Sequence, residues 1–242
     1  MFGNKVIEEI ENEFGTFTVE ELVYEGRRAR VLFSSPQHAA QAGIPLDNDP
    51  RLLFDYNQRF FELASELEPK NVLILGGGTL TLAIALVNNF PKLKVTTVEV
   101  NKDLIDLAAK YFDYKPNPRL RVIIGDAKTF MLQAKPTFDL IIVDIYDNFT
   151  IPKYFRSRVF AGQLKKGLME GGVVATNCIS TISRDKASPL NQIVNAYRNE
   201  IGRVRVFKPD DRYIEWLPQN LLIIGGIRID NVLKSLTEVN LD

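Results

Sequence analysis

The chain has 242 residues, 45% of them hydrophobic and 25% charged, and its thirty basic side chains balance thirty acidic ones to zero net charge. That composition fits a soluble globular protein with a substantial core and excludes a global electrostatic pull towards nucleic acid or an anionic membrane. The one cysteine, Cys178, allows no internal disulfide framework and sits in an apolar run as a small hydrophobe. No apolar leader-like run follows Met1 and no stretch approaches the ~20 apolar residues of a membrane helix, so a cytoplasmic location is expected. The local basic cluster Arg27, Arg28 and Arg30 reads as a solvated strand or turn.

Three short strands are predicted first, over 15–19, 21–24 and 28–33, with turn signals at Gly15 and Gly26. Residues 34–50, rich in Ser, Pro, Gly, Asn and Asp, read as a connecting loop. The first fifty residues thus form a small antiparallel β region, followed by a second unit over 51–242. That unit opens with a helix from about Leu52 to Glu66. Strands over 71–75, 94–100, 120–124, 138–143, 172–176 and 221–224 then alternate with helices, among them one from Thr79 to Asn89 and one capped by Asn101. Continuous apolar strands between helices predict a doubly wound, Rossmann-like α/β fold with a mostly parallel sheet. Residues 203–207 and 221–224 read as a closing antiparallel pair.

The chemistry concentrates at strand ends. Gly76-Gly77-Gly78 lies between a strand and a helix, where glycine lets backbone approach a ligand and the helix start supplies unpaired N–H groups. A dinucleotide fingerprint is incomplete there, because Thr81 stands in place of its last glycine. Glu99 ends the next strand, where a carboxylate can accept both hydroxyl hydrogens of a ribose. Asp126, followed by Ala127, ends the third strand and can accept from an adenine amino group. Asp144 ends the fourth, with Asp147 three residues on. Each acid alone also fits a helix cap or a solvated turn. Four successive strands closing on a glycine turn or a carboxylate point instead to a nucleoside pocket. An Asp144 and Asp147 pair beside it can hold an amine and accept its proton. Tyr56, Tyr213 and Trp216 are candidate acceptor-side walls. The lone His38 lies in a polar loop, and no His or Cys cluster suggests a metal site.

These segments resemble the spermidine synthase (polyamine aminopropyltransferase) family, through residues 72–78, 98–100, 121–127 and 139–144 with Asp147. The resemblance implies a small N-terminal β region before a class I methyltransferase-like fold. It implies that the glycines approach the nucleoside's methionine-derived tail, that Glu99 binds ribose, Asp126 binds adenine, and Asp144 is the general base. Gln41, before Ala42-Gly43, looks like the family's nucleoside-contacting glutamine, and Tyr56 falls where the family carries a Tyr-His pair. The family also implies S-adenosylmethionine or its decarboxylated form as co-substrate, a small amine as acceptor, and a homodimer. The chain departs from it at Thr79, where polyamine-forming members have an aspartate that holds the free aminopropyl ammonium. It departs again at Asn57, Gln58 and Asn148, and around residues 209–216. The expectation is an alkyl transferase, aminopropyl or methyl. A catalytically silent nucleoside-binding protein stays open beside it, and an NAD-dependent oxidoreductase is disfavoured by Thr81 and Asp126.

Overall fold

The computed structural model describes residues 4–147, 150–183, 185–210 and 216–241. Its N-terminal part is a four-stranded antiparallel meander of β1 (Lys5–Asn12), β2 (Gly15–Tyr24), β3 (Arg27–Ser34) and β4 (Ala39–Pro45). Three expectations are corrected here. The predicted strands over 15–19 and 21–24 are one strand, because Glu20 does not interrupt it; its buried carboxylate lies 2.6 Å from His38 Nε2. Strand β1, which carries three glutamates, was not anticipated, since charge on an exposed edge strand resembles a solvated loop. Residues 39–45, expected within a loop, pair with β3; small residues of weak strand preference are recruited by tertiary pairing.

Strand β4 carries a bulge. Ala42 pairs with Leu32 and Ala40 with Phe33, which leaves Gln41 as the extra residue. Ala42 then packs with Leu104 and Leu107, while Ala40 and Gly43 meet Leu53 on the other side.

Helix α1 (Asp55–Leu67) leads into a seven-stranded sheet of β5 (Asn71–Leu75), β6 (Lys94–Glu99), β7 (Leu120–Ile124), β8 (Phe138–Val143), β9 (Leu168–Ser180), β10 (Arg203–Phe207) and β11 (Gln219–Gly226). The spatial order is β10-β11-β9-β8-β5-β6-β7, parallel from β9 through β7, with β11 antiparallel to both of its neighbours. This is the doubly wound, class I methyltransferase-like arrangement expected. Along β5, Val72 and Ile74 join one core layer while Leu73 and Leu75 join the other, so both faces are covered. Helices α2 (Thr81–Asn89) and α3 (Lys102–Tyr111) pack on the first side, and α4 (Ala127–Leu132), α5 (Arg158–Gly167) and α6 (Pro189–Glu200) on the second. From β5 the chain winds outward through β6 and β7, then returns to β8 on the other side of β5. The crevice at that reversal is where open α/β sheets bind ligands.

Helix α2 begins two residues later than predicted, because Gly78 and Leu80 both adopt left-handed backbone (φ +51° and +64°). No helix among the described residues is long and apolar enough to cross a membrane.

Candidate functional site

The β5–α2 turn can be made only with glycine at its start. Gly76 has φ +88°, and a Cβ there would lie 2.1 Å from the backbone oxygen of Asp144. A Cβ at Gly77 would lie 2.4 Å from Thr97 Oγ1. The close approach means that the glycine turn and the end of β8 form one surface.

Glu99 supports the turn from below. Its Oε2 accepts from Gly78 N at 2.7 Å and its Oε1 from Asn101 N at 2.9 Å. Burial pushes its carboxyl up, and the surrounding backbone N–H groups pull it back. A carboxylate offers about four lone-pair positions; two meet full hydrogen bonds here, and the Gly77 and Val100 N–H groups also lie close to it. Asn101 caps α3 as expected, accepting from Asp103 N at 3.1 Å. Asp126 is exposed and caps α4 through Oδ1, accepting from Thr129 N at 2.6 Å. Ala127 opens that helix with its side chain in the core, so it can offer a ligand only main chain.

Asp144 leaves the sheet at the switch point. The register of β8 on β9 pairs Val143 with Thr176, which sets Asp144 beside Asn177; Asn177 Nδ2 donates to Asp144 Oδ1 at 2.9 Å. Burial pushes the Asp144 carboxyl up to about 6, its hydrogen bonds to Asn177 and Tyr56 pull it down, and the Glu99 charge adds to the rise. Tyr56, on α1, is shifted far upward, first by burial and then by the Asp144 charge. Its ring stacks on Phe54 and meets Phe60 edge-on. Tyr146 locks the neighbouring strand end, donating to Asn177 O at 3.1 Å and accepting from Ile179 N at 2.7 Å.

The other sequence candidates lie further out. Asp147 is exposed, and its backbone closes a turn with Thr150 in both directions. Gln41 sits at the β4 bulge and donates to Ser34 Oγ at 2.9 Å, on a strand that packs against α2. Trp216 is exposed in the turn before Pro218, which helps line a cavity of about 630 Å³ with Ile179, Ser180, Thr181 and Asp185. Tyr213 and Asn148 lie outside the described residues.

A model of the spermine/spermidine synthase domain matches residues 58–199. The chain belongs to that family. A probable polyamine aminopropyl transferase of Bifidobacterium longum is 35% identical over 107 residues, 44% of this chain and 24% of that protein. Putrescine N-methyltransferase 2 of Nicotiana attenuata is 33% identical over 124 residues, 49% of this chain and 33% of that protein. These alignments span between a quarter and a third of the relatives' own length. A crystal structure of a probable spermidine synthase from Corynebacterium glutamicum superposes with a TM-score of 0.75 at 20% identity, covering 92% of this chain and 79% of that one. At that identity the likeness concerns the fold.

Within this family fold, sequence reasoning missed three features of the site. Asn177 is the first; its signal was a polar residue in the middle of an otherwise apolar buried strand. The others are Val100 and Ile124, large apolar side chains about half exposed (49% and 51%) at the ends of β6 and β7. Ile124 pairs with Glu99 across the two strands, so both flank the carboxylate that holds the turn. An apolar residue left open beside a strand-end acid was the signal available.

Proposed function

We propose that the chain is a transferase that binds S-adenosylmethionine or its decarboxylated form at the β5–β7 edge and alkylates a small amine held by Asp144. The observation that carries this reading is the position of Asp144: its backbone touches the glycine turn while its partly buried side chain, pushed up to about 6, is held by Asn177 and Tyr56. A proton acceptor with such a pKa beside a nucleoside-type turn suits amine alkylation.

The residues fit the co-substrate in several ways. Gly76 and Gly77 leave the turn bare, Glu99 places a carboxylate at the end of β6 for ribose, and Val100 and Ile124 offer apolar surface for a flat base. Thr79 is buried in the turn and its hydroxyl has no partner, an unmet hydrogen bond that a ligand can satisfy. When bound, the co-substrate supplies a sulfonium-activated carbon. Asp144 orients the amine so that its lone pair faces that carbon; as the N–C bond forms and the C–S bond breaks, the carboxylate accepts the nitrogen's surplus proton. Tyr56 and Asn177 fix the carboxylate's direction, and the aromatic wall of Tyr56 and Phe54 keeps water from it.

Thr79 bears on which group is transferred. An uncharged side chain there neither anchors a lone ammonium nor repels a carboxylate, which favours intact S-adenosylmethionine and methyl transfer over aminopropyl transfer. Parallel calorimetric titrations with S-adenosylmethionine, decarboxylated S-adenosylmethionine and methylthioadenosine test the reading. Equal or tighter binding of the intact form supports methyl transfer. Tighter binding of the decarboxylated form restores aminopropyl transfer, and binding of none removes the nucleoside pocket.

A further inference from the structure

Asn177 is 2% exposed, and its two polar atoms differ in circumstance. Nδ2 donates to Asp144, whereas Oδ1 is buried without a hydrogen-bond partner. Leaving a buried carbonyl unmatched is costly, and native proteins leave few such groups. The amide is planar, so the unpaired oxygen sits beside the carboxylate that its nitrogen holds. Its direction is not free to change: the backbone carbonyl of Asn177 and the N–H of Ile179 are both tied to the Tyr146 hydroxyl, and β9 is paired on both sides. Flipping the amide would set Oδ1 against the Asp144 carboxylate, two acceptors face to face.

The Asp144 carboxylate, which accepts from Asn177 and Tyr56 and keeps further lone pairs, therefore lies beside an amide carbonyl that has no donor. An amine nitrogen attacking with its lone pair forward has its N–H bonds pointing backward. A primary amine has two, enough for both acceptors; a secondary amine has one and leaves Asn177 Oδ1 as bare as before.

Resting on the amine-alkylation reading above, we infer that Asn177 is a substrate-contacting residue whose Oδ1 takes the second N–H of the acceptor nitrogen, and that the enzyme thereby selects primary over secondary amines. It also positions Asp144, so two roles must be separated. A purely positioning role lowers turnover of all amines in parallel, whereas a contact to the second N–H affects primary amines alone.

The experiment compares kcat/KM for 1,4-diaminobutane, 1,3-diaminopropane and N,N′-dimethyl-1,4-diaminobutane in the wild-type protein, Asn177→Ala and Asn177→Leu. The leucine variant keeps the branching at Cγ and opens no space, so a methyl group gains no room that the wild type denies it. Methylthioadenosine titration of each variant shows that the fold and the nucleoside pocket persist. The expected result is a wild-type preference for the primary amines that shrinks by about 10- to 100-fold in both variants, the range set by one unmatched buried acceptor. A preference unchanged in both variants, with activity on all amines lowered together, overturns the contact and leaves Asn177 as a positioning residue. A preference lost in the alanine variant but kept in the leucine variant overturns it as well, by tracing selection to space. Tight methylthioadenosine binding with no turnover of any amine overturns the amine-alkylation reading itself, and this inference with it.

Discussion

The two halves of the sheet's C-terminal edge place acidic residues in the same sequence context and give them different surroundings. On the β6–β7 side, Glu99 is buried but surrounded by backbone N–H donors, and Asp126 is exposed and spent partly on a helix cap. On the β8–β9 side, Asp144 is partly buried with side-chain partners only for its carboxylate, and its proton is held up to about 6. The difference is one of solvation by donors. Fixed N–H groups make a carboxylate a permanent acceptor suited to binding, whereas a carboxylate short of donors stays poised to exchange a proton. A strand-end acid is thus a place, and its surroundings decide its role.

The largest expected effect comes from removing the proposed proton acceptor, Asp144, alone. Asp144→Asn should lower kcat by about 10²- to 10⁴-fold, the usual worth of a general base, while calorimetry finds nucleoside affinity within a factor of three or so of the wild type. Parallel losses of both would erase the contrast between the two sides. Next comes the binding side: Glu99→Ala releases the Gly78 and Asn101 N–H groups and should weaken S-adenosylmethionine binding about 100-fold, against about tenfold for Asp126→Ala. Reversal of that order would make Asp126 the principal anchor.

Stability should move in the opposite direction to activity at Asp144. Its folded pKa lies above the unfolded value, so its favourable contribution is complete below about pH 4 and is lost as pH rises through about 6. At pH 8 the charged side chain costs up to about 3 kcal/mol, roughly two units at ~1.4 kcal/mol each. Asp144→Asn should therefore resist urea better than the wild type at pH 8, and the gap should close near pH 4. The smallest effect is a displacement of the acid limb of kcat/KM. That limb should fall near pH 6 in the wild type and move upward in Tyr56→Phe, which removes one of the two hydrogen bonds that lower the Asp144 pKa. A downward move would assign Tyr56 a different partner.

Much of this was readable in the chain. The apolar runs at 71–75, 120–124 and 138–143 coincide with strands, because a strand covered on both faces needs no alternation and leaves a continuous hydrophobic signature. Glu99, Asp126 and Asp144 stood out as candidates because each is an acid at or just past the end of a strand-like run. What the sequence withheld is pairing. Nothing local distinguishes Asp126, which caps a helix, from Asp144, which meets Asn177 thirty-three positions away, since that meeting depends on the parallel register of β8 and β9. The edge strand β1 and the small-residue strand β4 were hidden likewise, because pairing rather than composition makes them strands.

The bulge at Gln41 has one more consequence. A β-strand is read in a frame of two, one side chain to each face, and an extra residue acts as a frameshift. Upstream of it Ala40 belongs to the Leu53 layer; downstream Ala42 belongs to the Leu104 layer. Deleting residue 41 would close the bulge and leave the pairs on either side of it, Ala40 with Phe33 and Ala42 with Leu32, in one regular register, with Ile44 still opposite Arg30. Substitutions at Gln41 keep the count and with it the bulge. Residue 41 is thus the one position of β4 that stands outside the two-face alternation.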